Sequence, residues 1–238
     1  MARRRFFVDS FADGYAVLRG DEARHLARVL RAEPGRQYEL SDNQKVWLAE
    51  IIHANPSEVR FRLLEPVASA AIGLRVTLVA SLIKFDRFEW MVEKATELGI
   101  ASILPVAAER SEAGLLEASR KRVERWRKIA RESSQQSRRV RQPEILPPER
   151  LDRISITAFP LRYFFDEEPG APSLVKSLGA LPAAPPELAI LVGPEGGWTD
   201  AERQHLAGIW TRVSLGGTIL RAETAAIAAI AVIMNFWI

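Results

Sequence analysis

The sequence predicts an α/β protein with two domains, a small β-rich one followed by a larger one built on a mostly parallel sheet. From residue 74 onward, apolar β-prone segments alternate with helical segments, which is the pattern of parallel α/β sheets. The first ~70 residues instead hold short apolar segments separated by turn signals such as Asp13-Gly14. We therefore expect domains at 1–70 and 74–238, because residues 68–73 are small and weakly patterned.

The N-terminal domain is predicted to be a compact β-barrel with one helix. The helix spans residues 21–30, where Asp21 can cap the first turn and apolar residues recur every three or four positions. Pro34-Gly35 ends this segment. Strands are expected at 6–8, 15–18, 37–40, 46–52 and 59–64.

The C-terminal domain alternates predicted strands and helices. Thr199 followed by Glu202 is a capping-box pattern that starts one helix. Residues 166–187 are rich in Pro, Gly and Ala, so we expect a loop with at most one short helix. The other predicted helices are 88–98, 119–136 and 222–237, and the predicted strands are 74–82, 103–106, 154–159, 163–165, 188–192 and 212–215.

Composition excludes several classes of protein. The chain has no cysteine, which removes disulfide scaffolds, thiolate metal sites and cysteine nucleophiles. Its three histidines, His25, His53 and His205, are far apart, so we expect no metal. No apolar run reaches the ~20 residues that span a bilayer, and no apolar segment follows the N-terminal arginines, so we expect neither a membrane segment nor a secretory signal.

Positive charge is concentrated in one segment. The formal net charge is +3, yet residues 120–141 hold 10 basic and 2 acidic residues, so the rest of the chain is net acidic. A local basic patch favours a polyanionic partner. A solvated helix face is the alternative, but the two acidic residues are too few to neutralise it by i,i+4 pairing.

Two apolar strands end in glycine-rich turns. The first runs from Leu191 into Gly-Pro-Glu-Gly-Gly at 193–197, and the second from Leu215 into Gly216-Gly217 and the apolar pair Ile219-Leu220. Ligands of open α/β sheets bind beyond the carboxyl ends of strands, and glycine lets them approach the backbone closely. Neither turn has a Walker or dinucleotide signature. A flat, mostly apolar ligand such as adenine suits the second turn, where aliphatic side chains lie beside glycine backbone. For the first turn, a tight strand–helix turn without ligand is the alternative.

Taken in order, these motifs resemble the RsmE family, the 16S rRNA (uracil-N3) methyltransferases of the SPOUT superfamily. Two departures stand out, since Phe85 replaces a common glycine and Arg138 a common small residue. The matching segments are Arg4-Arg5-Phe6-Phe7, His25 to Arg31, Lys84-x-Asp86-Arg87, Lys94 to Gly99, Glu109-Arg110-Ser111, Trp126 to Gln136-Ser137-x-Arg139, residues 193–197, and Leu215-Gly216-x-x-Ile219-Leu220-Arg221-x-Glu223-Thr224-Ala225.

The resemblance implies a fold, a cofactor and partners. The N-terminal domain is expected to be a PUA-like RNA-binding barrel and the C-terminal domain a SPOUT domain with a deep trefoil knot. S-adenosyl-L-methionine is the implied cofactor, and 16S rRNA of the small ribosomal subunit the implied substrate. A cytoplasmic homodimer without metal is implied, each active site drawing on both chains.

The resemblance also assigns residues. Arg139 or Arg221 would stabilise charge on the uracil oxygens, and Glu223, or else Glu195, is a conceivable base. A third cofactor loop is expected near residues 159–161. The cofactor residues carried over are Leu191, Gly193, Pro194, Glu195, Gly196, Gly197, Leu215, Gly216, Ile219 and Leu220, and the RNA-binding residues are Arg4, Arg5, Arg28, Lys84, Arg87, Arg138 and Arg141.

Three other functions stay open. A non-catalytic RNA-binding protein would use the barrel and the basic helix without needing two glycine-rich strand ends. A SPOUT methyltransferase acting on a ribose 2′-hydroxyl or another base would share most of the motifs. A nucleotide-binding hydrolase is disfavoured, because both phosphate-loop signatures are missing.

Overall fold

The computed structural model describes residues 4–68, 73–154 and 159–237. Within them the chain forms two compact units. The N-terminal unit contains residues 4–68 together with 134–142, and the C-terminal unit contains the rest. Most of the expected boundary at 68–73 and of the expected strand at 154–159 lies outside the described residues.

The N-terminal unit is a curled six-stranded sheet in the order β1-β4-β5-β6-β3-β2. The β1–β4 pair is parallel and the other pairs are antiparallel. The predicted helix begins as α1 (Gly20–Arg24) and continues as a π-helical turn, His25–Val29. The strands are β1 (Arg5–Phe7), β2 (Phe11–Ala12), β3 (Tyr15–Arg19), β4 (Gln37–Ser41), β5 (Val46–Ala54) and β6 (Glu58–Val67).

One apolar cluster holds this unit together. Alternate strand residues point into it, as expected for a sheet with one solvated face. Leu26 brings the helical segment onto the same cluster. The fully buried side chains include Phe6, Leu40, Ile51 and Phe61.

The C-terminal unit confirms the α/β class with a mostly parallel sheet. The main strand order is β10-β8-β7-β12-β11-β13, with β9 beside β8, and every assigned pair is parallel. The strands are β7 (Arg75–Ser81), β8 (Ser102–Ala107), β9 (Glu144–Ile145), β10 (Glu149–Arg150), β11 (Arg162–Phe165), β12 (Glu187–Val192) and β13 (Thr211–Val213).

Helices cover both faces of this sheet, since two apolar clusters divide alternate residues of the central strands. No helix of the described ranges is both long and apolar enough to cross a bilayer. The helices are α2 (Phe85–Glu97), α3 (Leu115–Arg120), α4 (Val123–Gln136), α5 (Leu174–Gly179), α6 (Asp200–Ala207) and α7 (Ala222–Asn235).

Two predicted helices can be compared directly with the structure. The capping box of α6 is confirmed, because Thr199 accepts from the Glu202 amide while Glu202 accepts from the Thr199 amide. The basic helix predicted over 119–136 is confirmed over 123–136 as α4, but its start is wrong, since α3 ends at Arg120 and α4 begins only at Val123. Buried Ser119 bonds back to the Leu116 carbonyl at this break.

Candidate active site

Three loops meet at one edge of the C-terminal sheet. Strands β11, β12 and β13 run parallel, so the loops that follow them, 166–172, 193–199 and 214–221, leave from the same edge. The two glycine-rich turns therefore lie on the two sides of the loop that follows β11, because β11 is between β12 and β13. The expected third loop at 159–161 precedes β11 instead, so the third loop of this edge begins at Asp166.

Asp166 joins the first of these loops to helix α6 and strand β13. Its carboxylate is fully buried and pairs with Arg203 of α6 at 3.1 Å and with Arg212 of β13 at 3.0 Å. Arg212 also donates to the carbonyls of Glu168 and Pro169, both at 2.8 Å. One carboxylate thus holds the helix that follows the first glycine-rich turn and the strand that precedes the second.

Arg203 contacts several acidic groups at once. It pairs with Glu167 at 2.9 Å and with Asp200 at 3.3 Å in addition to Asp166. Burial opposes its charge, but Asp166 and Glu167 outweigh burial and raise the pKa of Arg203. Arg203 therefore stays cationic and keeps the first loop against α6.

The first glycine-rich turn leaves no room for side chains. Gly197 has φ +68°, and a Cβ there would lie 2.5 Å from Glu167 Oε1. A Cβ on Gly193 would lie 3.0 Å from the Trp198 ring, whose Nε1 donates to the Phe165 carbonyl at 2.8 Å. The tight packing explains why glycine stands at both positions.

The middle of this turn is polar. Glu195 forms an ion pair with Arg87, in the first turn of α2. Arg110 donates to the Gly196 carbonyl at 3.0 Å. Pro194 is buried, and Lys84 is exposed at the start of α2. Two predicted site residues, Arg87 and Glu195, thus contact each other directly.

The second glycine-rich turn exposes apolar surface. Ile219 is 85 % exposed, while Leu215 and Leu220 are half-buried. Gly216 has φ +125°, a conformation that favours glycine. Such an exposed aliphatic side chain beside bare backbone suits a flat apolar ligand.

Glu223 is buried at the start of α7. It is only 7 % exposed, and its Oε2 has no hydrogen-bond partner among the described residues. The helix N-terminus stabilises its negative charge. Arg221, the residue before α7, is exposed. A buried carboxylate oxygen without a partner is unusual and is typical of a functional group.

Arg139 belongs to the N-terminal unit, whereas Arg221 and Glu223 belong to the C-terminal unit. The Arg139 side chain is half-buried, and burial lowers its pKa to about 10. It is therefore still cationic at neutral pH.

The predicted RNA-binding residues of the N-terminal unit differ in exposure. Arg4, Arg28, Arg138 and Arg141 are exposed, whereas Arg5 is 5 % exposed and donates to Glu39.

Sequence reasoning missed Asp166, Arg203, Arg212 and Glu39. Asp166 had a usable signal, because it follows directly on a buried apolar strand as the first of three acidic residues. Glu39 lies between the apolar residues Tyr38 and Leu40 of strand β4, which is a weaker signal. Within the described ranges, no cluster of three or more His, Asp or Glu side chains is arranged to hold a metal ion.

Comparison with known proteins identifies the family to which this chain belongs. An RNA methyltransferase domain model matches residues 71–234, and an RNA methyltransferase PUA domain model matches residues 18–64. Ribosomal RNA small subunit methyltransferase E of Mycobacterium bovis is 32 % identical over 100 % of this chain and 94 % of its own length. The Bacillus subtilis protein of that name is 30 % identical over 90 % and 87 %.

Solved structures agree with these relatives. Ribosomal RNA small subunit methyltransferase E from Neisseria gonorrhoeae, solved bound to S-adenosyl methionine, superposes with a TM-score of 0.87 at 27 % identity, covering 99 % of this chain and 98 % of that one. A methyltransferase from Legionella pneumophila in complex with the same cofactor also reaches 0.87 at 27 % identity, covering 100 % and 99 %. This chain therefore belongs to the RsmE family of ribosomal RNA small subunit methyltransferases.

Proposed function

We propose that this protein transfers a methyl group from S-adenosyl-L-methionine to N3 of a uracil in 16S rRNA. The observation that carries the proposal is the meeting of loops 166–172, 193–199 and 214–221 at one sheet edge, in a chain of this family. The product is 3-methyluridine in the small ribosomal subunit, and this substrate places the reaction in the cytoplasm.

The loop residues fit the cofactor. Crowded glycines at 193 and 197 keep side chains out of the turn, and exposed Ile219 with half-buried Leu215 and Leu220 offers an apolar surface for adenine. S-adenosyl-L-methionine supplies an electrophilic methyl group on a sulfonium. We assign its binding to Leu191, Gly193, Pro194, Glu195, Gly196, Gly197, Leu215, Gly216, Ile219 and Leu220.

The chain's charged groups supply the rest of the chemistry. Uracil N3 carries a proton that must leave, and Glu223 is the preferred acceptor because its buried Oε2 has no partner among the described residues. Glu195 is less suited, since it pairs with Arg87.

Negative charge then develops on the uracil oxygens. We assign its stabilisation to Arg139, because a cation partly removed from water acts more strongly. Arg221, which is exposed, is the second choice and can position the base or the RNA backbone.

RNA binding is assigned to exposed cations of both units. Arg4, Arg28 and Arg141 of the N-terminal unit, and Lys84 at the start of α2, are exposed, form no ion pair with a carboxylate among the described residues, and suit phosphate oxygens. Arg87 already pairs with Glu195, and Arg5 and Arg138 pair with Glu39. We therefore expect these three to shape the site more than to bind RNA, with the 1–70 barrel as the main RNA platform.

A homodimer and a trefoil knot complete the proposal. Helix α7 is apolar on all sides, with Ala226 and Ile230 buried and Ile227 and Val232 only half-buried. A helix of this kind needs a partner on its second face, and a second copy of the chain supplies one. The knot is proposed from family membership, and the insertion of β12 between β7 and β11 is compatible with it.

The test is a methyl-transfer assay on 16S rRNA and on assembled small subunits, followed by nucleoside mass spectrometry. We expect 3-methyluridine, with a single-turnover rate that falls strongly in Glu223→Gln. A 2′-O-methylated nucleoside or another methylated base would replace N3 of uracil as the target. Absence of heat on titrating S-adenosyl-L-methionine in calorimetry would instead favour a non-catalytic RNA-binding protein.

A further inference from the structure

We propose that Glu39, in strand β4 of the N-terminal unit, is a positioning residue that sets the place of Arg139. The inference rests on the proposed role of Arg139 in methyl transfer. Glu39 is far from Arg139 in sequence, yet both belong to the N-terminal unit, because residues 134–142 pack with residues 4–68.

Glu39 is the centre of a buried ion network. Its Oε2 accepts from Arg5 Nε at 3.1 Å and from Arg5 Nη2 at 2.7 Å, and its Oε1 accepts from Arg138 Nη2. The side chains of Glu39 and Arg5 are each only 6 % exposed. Arg5 Nη1 donates to the Arg138 carbonyl as well. The network therefore holds both the side chain and the backbone of the residue that precedes Arg139.

The backbone on the other side of Arg139 is also held by β4 and its following turn. Ser41 Oγ donates to the Val140 carbonyl at 2.5 Å, and the Gln142 amide donates to Asn43 Oδ1 at 2.9 Å. The Arg139 amide donates to the Ser134 carbonyl at 2.9 Å. Arg139 thus lies between two anchored neighbours.

Arg138 adopts a backbone conformation that needs such support. Its φ is +56°, in the left-handed region, which is unfavourable for a residue with a side chain. Strain of this kind persists only where surrounding contacts determine the conformation. The two bonds from Arg5 and Glu39 to Arg138 supply that determination.

A role in positioning explains why charges are buried here. A buried ion pair is rarely more stable than a well-packed apolar pair, so stability alone does not favour Glu39 over an apolar residue. A directional network is instead suited to fixing one backbone geometry. Because a displacement of about 1 Å in a reacting group can cost about 100-fold in rate, an error in segment 138–140 should reach the chemistry through Arg139.

The experiment combines Glu39→Gln, Arg139→Ala and the double variant in single-turnover methylation at saturating RNA and cofactor. We expect Glu39→Gln to lower the rate about 10- to 100-fold while the Kd for S-adenosyl-L-methionine, measured by calorimetry, changes less than about two-fold. In the Arg139→Ala background, Glu39→Gln should have almost no further effect. A merely structural role would instead make the two effects multiply.

Two further variants keep the test decisive. Glu50→Gln is the matched control, since Glu50 pairs with Arg62 in the same sheet but at its surface, and it should retain the wild-type rate. Arg138→Ala removes one arm of the network and leaves the Arg5–Glu39 pair intact, so it replaces Glu39→Gln if that variant does not fold. It too should lower the methylation rate when introduced into the wild-type protein, but not when introduced into Arg139→Ala.

The outcomes separate the inference from the function on which it rests. Wild-type protein that forms no 3-methyluridine overturns the proposed function. Arg139→Ala with an unchanged rate overturns the role of Arg139, and with it this inference. Multiplicative effects of Glu39→Gln and Arg139→Ala overturn the positioning role of Glu39 alone.

Discussion

Each unit buries one carboxylate between two arginines. The Asp166 cluster (Asp166, Arg203 and Arg212) and the Glu39 cluster (Glu39, Arg5 and Arg138) fix different parts of the chain. Asp166 pairs with Arg203 and Arg212 and joins the loop after β11 to a helix and a strand of the same unit. Glu39 pairs with Arg5 and with Arg138, which is 99 positions away in sequence. The same chemistry thus reinforces a local arrangement in one unit and fixes a remote segment in the other.

The clusters also differ in how much water reaches them. The Asp166 side chain is fully buried, and Arg203 and Arg212 are 19 % and 35 % exposed. Arg138, the outer arm of the Glu39 cluster, is 43 % exposed. Since water screens exposed pairs, the Arg138 arm should add little to stability, whereas the Arg5–Glu39 pair is only 6 % exposed on both sides. We expect the Asp166 cluster, in which both arms are more buried than Arg138, to contribute the larger share of stability.

The largest effect is expected from Asp166→Asn. Removing one partner of a buried ion network typically costs about 3–5 kcal/mol, which corresponds to a fall in Tm of roughly 10 °C in a chain of this length. Thermal unfolding measures the fall, and calorimetry should show weakened binding of S-adenosyl-L-methionine. Asp152→Asn, which breaks the exposed pair with Arg150, is the control and should change Tm little. A larger fall in Tm for Glu39→Gln than for Asp166→Asn would show that the Glu39 cluster contributes more to stability.

Gly197→Ala tests the packing next to the Asp166 cluster, where Gly197 contacts Glu167, the residue after Asp166. The added methyl meets Glu167 at 2.5 Å on a backbone with φ +68°, so we expect a loss of about 1–3 kcal/mol in stability and weaker cofactor binding. Gly208→Ala is the control, because Gly208 has φ −74° and its nearest atom lies at an ordinary 3.5 Å. Unchanged cofactor affinity in Gly197→Ala would show that the turn tolerates displacement.

Arg139→Met tests the claim that the Glu39 cluster serves function. Burial lowers the pKa of Arg139 to about 10, so the folded state disfavours the cation relative to the unfolded state. Below pH 10 both states are protonated and this cost is fully present; it disappears as the pH rises from about 10 through the unfolded value. After allowance for partial exposure, we expect Arg139→Met to gain about 1 kcal/mol at pH 7 while losing activity.

That prediction is checked by measuring the free energy of unfolding of both proteins at increasing pH. The stability difference between Arg139→Met and wild type should shrink above pH 10. A destabilised variant at pH 7 would show instead that Arg139 holds the fold together.

The smallest effect is expected from Arg141→Ala, a cation outside both clusters. If it contacts one phosphate, RNA affinity falls modestly and the slope of log K against log salt decreases by about 1. Arg75→Ala, at an exposed pair with Glu187, should leave the slope unchanged. A filter-binding series over salt concentration measures both, and an unaltered slope in Arg141→Ala removes it from the RNA surface.

Sequence patterns predict the glycine-rich turns at the edge of the C-terminal sheet well, and the buried ion pairs of Asp166 and Glu39 poorly. The turns at 193–197 and 215–217 were predictable because glycines directly follow apolar strands, a local signal. Asp166 lies in a segment whose Pro, Gly and Ala content indicates only a loop. The partners of Glu39 are distant in sequence, and the spacing of apolar residues along the chain does not predict such a pairing. The break between α3 and α4 is accompanied by a hydrogen bond from Ser119 Oγ to the Leu116 carbonyl, a contact that apolar periodicity does not predict.

The split make-up of the N-terminal unit has a consequence for biosynthesis. Residues 134–142 complete a unit whose other described residues are 4–68, so the ribosome makes more than 60 intervening residues before that unit can close. Until then Arg5 and Glu39 lack the chain that covers them. The N-terminal unit therefore matures only after α4 has been synthesised, and a fragment that ends before α4 should emerge with all six strands but with Arg5 and Glu39 uncovered.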